Sequence, residues 1–328
     1  MSRITVVYLG GFGRSGSTLV ERTLGAARGW VNVGELVDLA RSVARTDELC
    51  GCGRPFSACP VWTAVGELAF GGWTVDVLDR LTCLQRAAAR QRHLPGLLGS
   101  RRAPSAALTD LRVAYARIYA AVAEVTGSEV VVDASKGPAF GQALAGAPGI
   151  DLRMLNVVRD PRAVAWSWNR RVERPHATTG TEQMWRIPAH RAAAQWSSLQ
   201  LEMEAIARLG GARSARLRYE DFVLDPIGSL VTAAATLGVP LSRADLPSVE
   251  GGRIVLLPSH GLAGNPARFS SGALELRRDD GWTTQMSSRD RAVVAALTLP
   301  LLRTYGYPVT SGGAAPVSDR RTDMRSLT

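Results

Sequence analysis

The stretch ITVVYLGGFGRSGSTLVERTLG, residues 4–25, passes from strand-forming residues through a glycine-rich loop into a helical pattern. Ile4–Leu9 are β-branched, aromatic or aliphatic, the types that suit a pleated segment inside a core. Glycines then interrupt the run, and from Ser17 to about Ala27 the apolar positions return at helical spacing. Gly11 and Gly16 stand in register with the phosphate-cradling pattern G-x-x-x-x-G-K-[ST]. Where that pattern requires lysine this chain has Ser17, and an arginine, Arg14, precedes Gly16 by two residues. Glycines let successive N–H groups turn inward, and the following helix adds its positive end, so the loop can hold an anion without a metal. Transfer of a phosphoryl group from ATP relies on the missing lysine together with Mg²⁺. Arg14 offers instead a permanent, forked cation at the loop's outer side.

Working outward, apolar strands alternate with helical segments along the chain. Trp30–Val33 reads as a short strand with a turn at Gly34 and a helix after it. Residues 75–98 are amphipathic, and a helix over 106–126 carries Leu111, Ala114, Ile118 and Val122 on one face. Val130–Val132 is a buried strand opening into the loop DASKGP. A strand ending at Val158 leads into Asp160 as N-cap, Pro161 at the first helical position and a helix to about Arg171. A helix over 189–209, a strand in SARLRYEDF, a helix begun by Asp225–Pro226 and stopped by Gly238, and a last helix over 288–305 complete the order. Such alternation predicts an α/β single domain, residues 1–310, with a central parallel β-sheet flanked by helices. Segments of about 50–125 and 172–210 read as helical or loop insertions, and 311–328 as a disordered tail. Polar clusters follow the first four strands, and ligands of open α/β sheets bind at those carboxyl ends.

Composition narrows the function classes. The net charge of +10 suggests an anionic partner, yet the basic residues are scattered rather than grouped, so nucleic acid is not expected. Lys136 is the single lysine among 39 basic residues, which gives that position weight. No apolar run is long enough to span a membrane and no signal-peptide pattern is present, so a cytoplasmic enzyme is expected. Cys50, Cys52 and Cys59 crowd into CGCGRPFSACPVW, residues 50–62, while Cys83 stands apart. The spacing differs from paired C-x-x-C motifs and no histidine lies nearby in sequence, so a structural cysteine loop or local disulfide is expected, and no metal.

GFGRSGSTLVERTLG (11–25) resembles the 5′-phosphosulfate-binding loop of sulfotransferases that use 3′-phosphoadenosine 5′-phosphosulfate (PAPS), and NVVRDPRAVAWSW (156–168) resembles their 3′-phosphate motif. VVDASKGP (131–138) and RLRYEDF (216–222) fall where the family has comparable segments, and GNPARF (264–269) is similar to a cofactor loop of bacterial members. The resemblance implies the sulfotransferase fold related to P-loop NTPases, PAPS as donor, 3′,5′-adenosine bisphosphate as product, and no metal requirement. It places Gly13, Arg14, Ser15, Gly16, Ser17 and Thr18 at the 5′ end, Arg159 and Ser167 at the 3′-phosphate, and Tyr219 against adenine. Gly264, Asn265 and Arg268 follow as a second clamp.

Removing a proton from the acceptor needs a base within hydrogen-bond reach. Some branches of the family use a histidine after the third strand, but DASKGP contains none. Other branches use a glutamate after the second strand, where NVGEL supplies Glu35. Glu35 is therefore the expected general base, with Arg14 stabilising the leaving group and Lys136 beside the transferring sulfuryl. Asp133 and Ser135 are expected to position the acceptor, with Trp185 and the aromatics Phe70 and Trp73 offering a bulky surface. The acceptor class is a hydroxyl, less readily an amine, of a small molecule, glycan or natural product; a homodimer is left open. The competing reading is a P-loop kinase or ATPase, in which Asp133 would hold Mg²⁺.

Overall fold

The computed structural model describes residues 3–99, 103–170, 173–174, 182–183, 186–250 and 252–309. Strands β1 (Ile4–Gly10), β2 (Trp30–Gly34), β3 (Val130–Lys136), β4 (Ile150–Val158) and β5 (Arg213–Arg218) form one parallel sheet in the order β2-β3-β1-β4-β5. β1 lies at the centre, with Val6 opposite Val131 on one side and Leu152 on the other. The chain order reverses at β1, and such a switch point opens a crevice beyond the strands' carboxyl ends.

Strand periodicity divides the core between the two faces. Val6 and Tyr8 point into a cluster with Leu111, Tyr115 and Ile118, while Val7 and Leu9 point into another with Val20, Leu24 and Leu230. The helices that supply these partners are α1 (Ser17–Gly25), α2 (Pro60–Phe70), α3 (Val75–Ala88), α4 (Ala106–Thr126), α5 (Pro138–Leu144), α7 (Ala189–Leu209) and α8 (Pro226–Leu237), while α6 (Pro161–Asn169) and α9 (Ser288–Thr304) pack in two further clusters. α4 and α1 cover opposite faces, and each fully buried Val, Leu or Phe contributes about 1.5–3 kcal/mol. Asp160 caps α6 by accepting from the Arg162 amide, and Asp225 caps α8 by accepting from the Gly228 amide, as their Asp-Pro starts predict. Among the described residues no helix is long and apolar enough to cross a membrane.

Three departures from the sequence reading matter for the site. The segment after β2 is a 3₁₀ turn, Leu36–Asp38, followed by a π turn, Leu39–Val43, rather than an α-helix. Tertiary partners take its first amides: Glu35 N–H donates to the Leu262 carbonyl and Val37 N–H to the Ser135 hydroxyl. Beyond Arg218 the chain turns at once into a short helix, Tyr219–Leu224, where a longer strand was expected. A small antiparallel sheet, β6 (Val249–Glu250), β7 (Arg253–Leu256) and β8 (Gly272–Glu275), brackets the loop containing GNPARF. Its strands are too short to show a periodicity of their own. The proposed tail at 311–328 lies outside the described residues.

Candidate active site

The glycine loop leaves β1 and enters α1 with Gly16 at φ 84°, a left-handed conformation that glycine adopts without strain. No side chain caps α1, and its first intrahelical bonds run from Leu19 and Val20 to the Gly16 carbonyl. The amides of residues 16–18 therefore face the site with no acceptor inside the helix. The Ser15 hydroxyl is fully enclosed and has no hydrogen-bond partner among the described residues. A buried hydroxyl without a partner is costly, and it fits a ligand oxygen that completes it.

Arg14 flanks these donors. Its guanidinium lies 5.4 Å from the Trp168 ring, whose Nε1 donates to the Gly13 carbonyl at 3.0 Å. Burial, and then repulsion from Arg170, lowers its pKa. Arg14 itself sits at φ 72°, Lys136 at 65° and Ala263 at 54°. These are three of the four non-glycine residues with positive φ among those described; Ala263 lines the same cleft as Glu35, and Lys136 pairs with Glu35 there. Strained backbone gathers at functional sites because only a tightly packed surround can hold it.

Opposite the loop, Lys136 Nζ donates to Glu35 Oε1 in a partly buried ion pair. A β-carbon on Gly264 would lie 2.5 Å from the same oxygen, so only glycine lets the later loop close on this carboxylate. Among the described residues Glu35 Oε2 has no hydrogen-bond partner, which leaves it as the atom that can meet a substrate. One cleft is lined by Thr18, Glu35, Gly264 and Arg268, so three separated segments predicted from sequence converge in it.

Of the expected 3′-phosphate and adenine residues, Arg159 and Tyr219 lie against the glycine loop. Arg159 donates to the Arg14 carbonyl at 3.1 Å and to the Asp279 carbonyl at 3.3 Å, and its guanidinium stands 5.0 Å from the Tyr219 ring. That ring packs so closely on Gly16 that any β-carbon there would collide with it. Ser167 is half-buried, two turns along α6 from Arg159. Ser17 is buried at the start of α1. Asn265 caps the turn Pro266–Phe269 by accepting from the Ala267 amide at 3.0 Å. Arg268 is buried and donates to the Leu49 and Gly264 carbonyls.

Sequence reading missed two residues of α1, Glu21 and Arg22, both buried. Arg22 holds the later loop through the carbonyls of Leu257, Ala267 and Ser270. Glu21 accepts from the Gly34 amide at 2.6 Å and from Asn32 at 3.1 Å, which fixes the end of β2 just before Glu35. The only local signal was two adjacent charges in a short helix that must pack on a sheet. Burial, opposed by those two bonds, raises the Glu21 pKa to about 7 from an ordinary 4.5. Between these values the folded chain binds more protons than the unfolded one, so this group's contribution to stability falls as pH rises. Glu21→Gln cannot titrate, and its stability relative to the parent should rise by roughly 3 kcal/mol between about pH 4.5 and about pH 7. Urea midpoints of both proteins across that range check this; a constant difference would refute it.

Other expectations are altered. Asp133 is fully buried, with Oδ2 accepting from Tyr119 at 2.6 Å and Oδ1 from the Ser135 amide and hydroxyl. Burial raises its pKa to about 6. Ser135 is itself buried and also accepts from Val37. The pair therefore braces the end of β3 against the Glu35 segment instead of presenting polar atoms to an acceptor. Trp73 donates to the Trp62 carbonyl at 2.7 Å and packs edge-on against Phe70, which itself lines an open cavity with Val77, Leu81 and Val113. Trp185 lies outside the described residues. Cys50, Cys52 and Cys59 are free thiols, not a disulfide.

Known proteins resemble this chain in fold and in sequence profile. A solved sulfotransferase domain from the Synechococcus PCC 7002 olefin synthase is similar to this chain with a TM-score of 0.50, at 19% identity, over 94% of this chain and 96% of that one. A sulfotransferase domain from the curacin biosynthetic pathway gives a TM-score of 0.48 at 17% identity, over 94% and 99%. Curated protein sequences give no match. The first likeness concerns the fold: a central parallel five-stranded sheet flanked by helices. The profile of the Sulfotransferase family matches residues 7–243, a span that takes in the glycine loop, Glu35, Lys136, Arg159 and Tyr219 but ends before GNPARF. With most of the chain under that match, the chain belongs to the sulfotransferase family.

Proposed function

We propose that this chain transfers a sulfuryl group from PAPS to a hydroxyl of a small-molecule, glycan or natural-product acceptor, with Glu35 as general base. The observation that carries the reading is the cleft in which the start of α1, the Glu35–Lys136 pair and the Gly264–Arg268 loop meet. The donor suits the residues present: unanswered amides at residues 16–18 and the enclosed Ser15 hydroxyl ask for anionic oxygens, and Arg14 adds charge beside them. When bound, PAPS supplies an activated sulfuryl group on a phosphate that leaves. Arg14, the loop amides and Thr18 hold that phosphate, and preorganised donors there lower the barrier. Lys136 neutralises charge on the sulfuryl side, and Glu35 takes the acceptor's proton at Oε2. Arg159 and Ser167 receive the 3′-phosphate, which tells this nucleotide from ATP.

The kinase reading loses its metal-holding acid, because both oxygens of Asp133 are committed inside the fold. Calorimetry with 3′,5′-adenosine bisphosphate, in the absence of Mg²⁺, should give clear binding, and ATP–Mg²⁺ should bind far more weakly. Tight ATP–Mg²⁺ binding with no affinity for the bisphosphate would overturn the proposal.

A further inference from the structure

The cysteine loop does have a histidine beside it, brought from the far end of the chain. His260 Nδ1 lies 3.2 Å from Cys59 Sγ and 3.8 Å from Cys50 Sγ. Cys59 Sγ is 3.6 Å from Cys50 Sγ and 3.8 Å from Cys52 Sγ, and all four ligand atoms lie within 4.8 Å of one another. A disulfide needs sulfurs about 2.05 Å apart, so these distances exclude one as the structure stands. A tetrahedron of ligands about 2.3 Å (S) and about 2.0 Å (N) from one centre has S···S edges of about 3.8 Å and S···N edges of about 3.6 Å. The four separations above lie within about 0.4 Å of those edges, and the remaining two fall within the same 4.8 Å span.

From this arrangement we propose that Cys50, Cys52, Cys59 and His260 form a closed, structural zinc site. Three sulfurs and one imidazole nitrogen are a donor set that selects zinc among common divalent ions, and four protein ligands leave no position for substrate. Zinc displaces the three thiol protons, leaving about one net negative charge on the cluster. The ligands are oriented from outside. Trp62 Nε1 donates to the His260 carbonyl at 2.8 Å, and the Gly51 amide donates to the Gly261 carbonyl at 3.0 Å. Cys50 and Cys59 are buried, so exchange with solvent is restricted.

The placement gives the site a purpose. His260 immediately precedes Gly261–Gly264, the segment that pairs with β2 through Leu262 and closes on Glu35. Arg268 reaches back to the carbonyl of Leu49, next to Cys50. Zinc therefore staples the loop of residues 257–268 to the loop of residues 49–62, two segments about 200 residues apart in sequence.

The full chain, purified without chelators, should carry about one equivalent of zinc by elemental analysis. Cobalt exchanged into it should show thiolate charge-transfer bands and tetrahedral ligand-field absorption. Cys59→Ser and His260→Ala should lower the metal content to about a tenth or less, whereas Cys83→Ser, an exposed thiol away from the cluster, should retain it. Metal-free wild-type chain that takes up no cobalt would overturn the proposal whether or not the variants fold. So would undiminished zinc in both ligand variants, or only two titratable thiols in the denatured, unreduced chain. These readouts count metal and thiols, so they stand apart from any sulfuryl-transfer assay.

Discussion

Glu35→Gln is expected to lower kcat for sulfuryl transfer by about 10²–10⁴-fold while leaving affinity for 3′,5′-adenosine bisphosphate within about threefold. Glutamine keeps the size of the side chain and an oxygen for Lys136, so the contact with Gly264 and the position of the loop should survive. What it removes is the ability to take a proton at Oε2. Lys136→Met provides a contrast: it leaves Glu35 without its ion-pair partner and should lower the rate while sparing the carboxylate. A Glu35→Gln enzyme with its rate intact would assign the base to another residue, and no second carboxylate with an open oxygen lines the cleft among the described residues apart from Glu21, whose Oε1 is already bonded.

The sequence was most legible where chemistry and local structure coincide. Glycines at 11, 13 and 16 dictate a loop, the flanking residues dictate strand and helix, and the missing Walker lysine carries information of its own. Glu35 and Lys136 were each singled out separately, and the fold joins them although 101 positions separate them. The parallel sheet also follows from local patterns, since β1, β3 and β4 are short apolar runs between helices. What escaped reading depends on contacts that no local pattern encodes. His260 stands 201 positions from Cys59, so the absence of a histidine near the cysteines in sequence was true and misleading. Glu21 and Arg22 look like exposed helix charges until α1 is laid on the sheet and the later loop is laid on α1. Asp133 presents the opposite case: its place after a strand suggested a ligand-facing acid, but Tyr119 from α4 covers it.

Arg14→Ala should reduce the single-turnover rate of sulfuryl transfer by about 10²–10³-fold, the range found when one preorganised donor to a developing anion is removed. The effect should fall on the chemical step more than on binding. Ser15, the amides of residues 16–18 and Arg159 remain to hold the nucleotide, so the bisphosphate dissociation constant should rise by no more than about tenfold. Arg159 bonds the carbonyl of residue 14, which alanine retains, and this keeps the loop in place. The backbone at this position is already left-handed, a conformation alanine tolerates about as poorly as arginine, so no new strain arises. Arg14→Lys separates charge from shape: lysine restores a cation but loses the planar fork and its stacking on Trp168. Its rate should lie between those of the parent and the alanine variant. If Arg14→Ala turned over within a few-fold of the parent, with its melting temperature unchanged, the loop would bind the donor without stabilising the leaving phosphate. The catalytic charge would then rest on Lys136 alone.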